Sequence, residues 1–202
     1  MRKMSALDRV LLLVTGLLAA FQIVVGIDHL DVLPIAAYTV AFGVLLVAGL
    51  LLIIFGFDAL GSPLVVIVAA IIPLGLSLGL VAQYLPTLTT LYAAFAVVGL
   101  IAIAVTRLAA PGRIGAIVLA AVHGIAGLII FGLPILFSLQ GETPMGFALV
   151  GVGGALIGLG GLLLAFLKAG RPILSQNTVL AVLPGLLLLM TAAFVAGFAA
   201  AR

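Results

Sequence analysis

The sequence predicts an all-α integral membrane protein, a bundle of seven transmembrane helices, on three observations. Of its 202 residues, 66% are hydrophobic and only 6% are charged, whereas a soluble domain carries about 25% charged residues to cover itself in water. The apolar residues lie in long runs, separated by the few charges, prolines and turn residues. Those runs lack the period-two alternation of a membrane barrel, and in lipid only helices and closed barrels satisfy every backbone group. Since a span needs ~20 apolar residues, seven spans use ~140 and leave only short loops and ends. A single polytopic domain over 1–202 is expected. The same arithmetic excludes a soluble domain, a cytosolic enzyme and a nucleic-acid binder.

The spans follow in order. Span 1, 9–27, comes after a short basic segment and leads into further spans without a small-residue cleavage signature, so it reads as an anchor and not as a removed signal peptide. Spans 2 (33–57), 3 (63–85) and 6 (144–167) carry Pro34, Pro63 and Pro144 in their first turns, where a missing N–H costs nothing. Pro86, Pro111 and Pro172 lie in the connections before spans 4 (87–108), 5 (113–139) and 7 (178–200). The absence of Cys removes disulfides, thiolate metal sites and cysteine nucleophiles together.

Orientation follows from the basic residues. With the N-terminus inside, Arg2, Lys3, Arg9, Arg107, Arg113, Lys168 and Arg171 face the cytoplasm and Arg202 alone lies outside, a strong positive-inside bias. The expectation is therefore N-inside and C-outside, in a prokaryotic-type plasma membrane.

A parallel 3+1+3 internal repeat is also suggested, with span 4 as the linker between spans 1–3 and 5–7. Arg9 and Arg113 open spans 1 and 5, Pro34 and Pro144 open spans 2 and 6, and Pro73 and Pro184 interrupt spans 3 and 7. An ungapped match of 34–57 to 144–167 aligns Gly43 with Gly153 and Leu46 with Leu156, among few other identities.

Few side chains are equipped for chemistry. His123 is the one ionisable group deep inside a span, ten residues beyond Arg113 and so ~15 Å along the helix. Its stripe of small neighbours, Ala116, Ala120, Ala126 and Gly127, leaves room for another helix or a flat ligand. An imidazole bonded to a neighbouring helix, an axial ligand to haem or pigment, and a substrate or proton site are the readings it admits. In span 1, Asp8, Thr15, Ala19, Gln22, Gly26 and His29 fall on one helical face that should point into the bundle. Gln22 and Thr15 then serve as interhelical glue or as ligand contacts. Asp28, His29 and Asp31 make a compact acidic loop, but one short loop rarely supplies a metal shell. No metal, cofactor or catalytic residue is expected.

Glycine and proline speak for mechanics. Gly75/Gly79 in span 3 and Gly154/Gly158 in span 6 have the GxxxG spacing that lets helix backbones touch. Pro73 and Pro184 each remove a backbone hydrogen bond deep in a span and should kink it. Ser77, Gln83, Tyr84 and Tyr92, with Gln22, Tyr38 and Thr39, collect on the outer side as interfacial anchors or as the lining of a shallow cavity.

A non-catalytic polytopic protein acting through helix packing accounts for these features, as an accessory or scaffolding subunit of a membrane complex or as a lipid-contacting bundle. Its partners would be the bilayer and other membrane protein subunits. A small carrier for an uncharged or amphipathic molecule is the alternative. A cofactor-binding subunit using His123 is the third reading.

Overall fold

The computed structural model describes residues 2–27, 30–109, 112–168 and 173–201, which form eight α-helices linked by short loops and 3-10 turns. α1 (Ala6–Val25) starts on a capping box. The Ser5 hydroxyl accepts from the Asp8 amide, and the Asp8 carboxylate accepts from the Ser5 amide, satisfying two donors that a helix start leaves orphaned. α2 (Val32–Phe55) is followed by a 3-10 turn over Gly56–Gly61. α3 (Pro63–Ala69) and α4 (Ile71–Tyr84) share the third span and are separated at Ala70. The break has a local cause: Pro73 has no N–H to offer the Ala69 carbonyl, and its ring pushes that carbonyl aside.

A 3-10 turn at Pro86–Leu88 leads into α5 (Thr89–Leu108). α6 (Arg113–Leu139) follows, then α7 (Ala148–Lys168) behind a 3-10 turn over Met145–Phe147, and α8 (Gln176–Ala200) behind a Ser175 cap. Pro184 does not interrupt α8, unlike Pro73 in its span, and Pro134 likewise lies inside an unbroken α6.

Among the described residues, seven stretches are long and apolar enough to cross a membrane. The chain is a multi-pass helical membrane protein. The span limits expected from hydropathy lie within a few residues of the helix ends, and at α1 the capping box carries the start back to Ala6.

Facing residues reveal how the helices run. Gly16 lies against Leu46 and Gly49 against Leu12, so α1 and α2 are antiparallel; Gly75 against Ala41 and Gly79 against Tyr38 relate α4 to α2 in the same way. Gly151 and Gly154 face Ile135 and Ile130 on α6, while Gly153 and Gly160 face Phe194 and Leu186 on α8. An Arg2 guanidinium N–H donates to the Leu180 carbonyl over 3.0 Å, bringing the starts of α1 and α8 to one end.

The neighbour order α1, α2, α4, α6, α7, α8 and back to α1 closes a ring of six. α5 lies outside the ring against α6, α4 and α3. One buried cluster draws on all six ring helices, with Ala19, Phe42, Leu76, Ile130, Val150 and Phe194 as members. Its centre is aromatic: Phe42 meets Phe194 edge-on at 6.4 Å and Phe198 at 6.1 Å, and Tyr38 tilts onto Phe198 at 4.8 Å. Lipid tails are as apolar as these side chains, so dispersion and close fit, not expulsion of water, hold the ring. A second cluster of Leu74, Ala96, Ile103, Val122 and Ala126 fastens α5.

Exchanging spans 1–3 with spans 5–7 leaves the ring order unchanged, with span 4 as the helix outside. The proline-anchored residue match does not share that symmetry. Carried through Arg9/Arg113 and Pro34/Pro144, the Gly16–Leu46 pair maps to Ala120 against Leu156, yet Gly154 faces Ile130 and Phe131. The displacement is about two helical turns. Through Pro73/Pro184, Gly75 against Ala41 maps to Leu186 against Gly151, whereas Leu186 lies on Gly160.

Candidate functional site

The polar line of α1 faces the bundle. Asp8, Thr15, Ala19 and Gln22 are all buried, together with Leu12 and Gly16. Thr15 is satisfied within its own helix, donating to the Leu11 carbonyl over 2.8 Å. Gln22 is half satisfied: its Nε2 donates to the Gly26 carbonyl over 3.1 Å, while its buried Oε1 has no partner. Gln22, Tyr38, Thr39 and Phe42 border a cavity of ≈ 20 Å³, enough for about one water. His29 and Asp28 of the acidic loop lie outside the described residues. Among the described residues, no group of three metal-competent side chains comes together.

The polar side chains around Tyr38, Tyr92 and Ser138 divide into small networks. The Tyr38 hydroxyl donates to Gln83 Oε1 over 3.0 Å, and Gln83 Nε2 donates to the Tyr84 hydroxyl over 3.0 Å. This chain ties α2 to α4. Tyr92 on α5 donates to Ser77 Oγ over 2.8 Å, and Ser77 donates to the Pro73 carbonyl over 2.6 Å. Ser138 and Thr143 share a third bond at 3.1 Å. Tyr92→Phe is therefore expected to cost about 0.6 kcal/mol, an average interhelical hydrogen bond in a membrane. Unfolding in mixed micelles measures it, and a loss above about 2 kcal/mol would mean that Tyr92 does more than hold α5.

His123 sits one position round from the buried Val122 on α6, at the margin of the packed face. It is half-buried, beside the buried Ala126 and the exposed Ala120. A side chain at Gly124 or Gly127, beside it on α6, would meet nothing within 4 Å. The ring approaches the Leu119 carbonyl one turn earlier, but Nδ1 is buried with no hydrogen-bond partner.

No known protein family, curated protein or solved structure matches the chain.

The glycines divide by use. A Cβ on Gly75 would come 2.9 Å from the Ala37 carbonyl, and one on Gly79 would strike the Tyr38 ring. In α7, Gly154 touches the α6 backbone, with Phe131 N at 2.7 Å from the site of a Cβ. Gly158, its partner in the GxxxG spacing, has open space beside it and is not brought against any helix of this chain.

One cluster escapes hydropathy. Arg2 pairs with Asp8 at 3.0 Å, donates to the Leu180 carbonyl, and stands 5.7 Å over the Phe57 ring. It joins the starts of α1 and α8 to the turn after α2, above a small core of Phe57, Leu180 and Leu183. The Ser5-x-x-Asp8 spacing before an apolar run is the sequence signal for this start. The Arg2 contacts have no local signal, because Leu180 is distant in the chain.

Proposed function

We propose that this protein is a non-catalytic polytopic subunit that acts through helix packing, as an accessory or scaffolding component of a membrane complex or as a lipid-contacting bundle. On this reading its N-terminus lies on the cytoplasmic side of a prokaryotic-type plasma membrane, an orientation that the positive-inside bias supports. The observation that carries this reading is the filled ring: Phe42, Phe147, Phe194 and Phe198 are fully buried at its centre, where a carrier needs a polar path. The cavity beside Gln22 holds about one water.

The outward face of α7 supports a partner helix. Gly158 and Gly161 are exposed with open space beside them, next to exposed Leu159 and Leu162. Small residues flanked by larger apolar ones let a foreign helix approach closely. Extraction from native membranes in mild detergent should recover a stoichiometric membrane partner that Gly158→Leu releases while the chain itself stays folded. A monodisperse monomer without a partner, carrying solute across liposomes, would reverse the assignment in favour of the carrier. A colourless preparation unchanged by His123→Ala is expected as well, and an absorbing one would move the role to cofactor binding.

A further inference from the structure

Gln22 is committed at one end only. Its side chain is 3% exposed, and the Gly26 carbonyl fixes which way the amide points, because only Nε2 can donate to it. The other end, Oε1, is thereby left as a buried acceptor with no partner. An acceptor taken out of water and given nothing in exchange is destabilising, and more so in a bundle surrounded by lipid.

The antiparallel register of α1 and α2 decides what stands opposite. Leu12 faces Gly49 and Gly16 faces Leu46, and the same register carries Gln22 to the level of Thr39. Thr15, Thr106 and Thr191 each turn the hydroxyl back to the carbonyl four residues earlier, the usual way a threonine is satisfied in an apolar helix. Thr39 makes no such bond, and its hydroxyl has no hydrogen bond to the described residues. Both side chains border the cavity of ≈ 20 Å³ between the two helices. Tyr38, on the same wall, has already given its proton to Gln83.

We propose that Gln22 and Thr39 hold a single hydroxyl oxygen between them, which donates its proton to Gln22 Oε1 and accepts the proton of the Thr39 hydroxyl. One O–H group satisfies an acceptor and a donor at once, and two to four polar partners are what a buried water needs. The volume admits about one such oxygen. No carboxylate or basic group borders the cavity, so an ion would enter without a counter-charge. Gln22 lies in the last turn of α1 and Thr39 about two turns into α2, which brings the site within reach of two sources of the same group. One is water; the other is a hydroxyl on a lipid headgroup, its carbon left at the mouth beside the exposed Ile35. The site does not depend on a partner subunit at α7.

The test reads coupling and contact. Since the two side chains meet only through the bridging oxygen, Thr39→Val should raise the unfolding equilibrium constant in mixed micelles about three-fold, the worth of an average polar contact in a membrane. In a Gln22→Met background the same substitution should have little effect, whereas Ile35→Val, on the same rim, should act equally in both. Equal effects of Thr39→Val in the two backgrounds would overturn the bridge. The source is read by nuclear magnetic resonance of the labelled Gln22 side-chain amide, in bicelles of phosphatidylcholine, which has no hydroxyl, and of phosphatidylglycerol, whose headgroup carries free hydroxyls. A cross-peak from the amide protons to water in both lipids assigns a bound water. A cross-peak to headgroup protons in phosphatidylglycerol alone assigns a lipid hydroxyl. A wild-type amide that contacts neither would overturn the site, and that result stands even where Gln22→Met does not fold. Partner recovery is scored separately, so failure of this site and failure of the subunit role read out differently.

Discussion

Gly154→Ala should destabilise the protein by about 1–3 kcal/mol, the usual cost of forcing an extra methyl into a packed contact. The added carbon would lie 2.7 Å from Phe131 N and 2.8 Å from the Ile130 carbonyl carbon. Both are backbone atoms of α6 and cannot rotate away, so relief requires the two helices to separate. Separation weakens dispersion along the whole α6–α7 contact, which is what association in lipid depends on. Gly158→Ala is the matched control. It places the same methyl in open space and should be neutral, or slightly stabilising through helix propensity. Reversible unfolding in mixed micelles compares them, and equal losses at both positions would show that the α6–α7 contact is not set by backbone proximity.

Asp8→Ala is expected to cost about 2–3 kcal/mol, the second large effect. Loss of a helix cap accounts for about 1 kcal/mol. The remainder comes from stranding Arg2, whose side chain is 27% exposed, beside a site that was 4% exposed; breaking a fully buried pair costs about 3–5 kcal/mol, and solvent at Arg2 reduces that. Asp8→Asn keeps an acceptor for the Ser5 amide and should lose less. Arg9→Ala, at an exposed neighbour, should be nearly neutral. If Asp8→Ala proves no worse than Arg9→Ala, the network joining α1, α8 and Phe57 contributes nothing to stability.

Much of the architecture was legible along the chain. Prolines at first turns, charges between runs and run lengths near the bilayer thickness located every span, because the bilayer imposes a length and a polarity that leave few alternatives. The polar line of α1 pointed inward for the same reason: Thr15 and Gln22 are cheaper in the bundle than in lipid. The glycines were legible only as candidates. Gly154 and Gly158 have equal standing in the sequence, yet one touches α6 and the other faces outward, since spacing defines a helix face but not its neighbour. Pro73 and Pro184 were equally alike, and only Pro73 ends a helical segment.

Class, span count and the distribution of charge were thus decided by composition and period, which act locally and meet the bilayer one helix at a time. The closed ring with α5 outside and the Arg2 strap onto Leu180 were decided by tertiary structure. Each depends on which helices lie side by side, and in a chain of near-uniform apolar faces that choice rests on close fit between distant segments, which hydropathy does not encode.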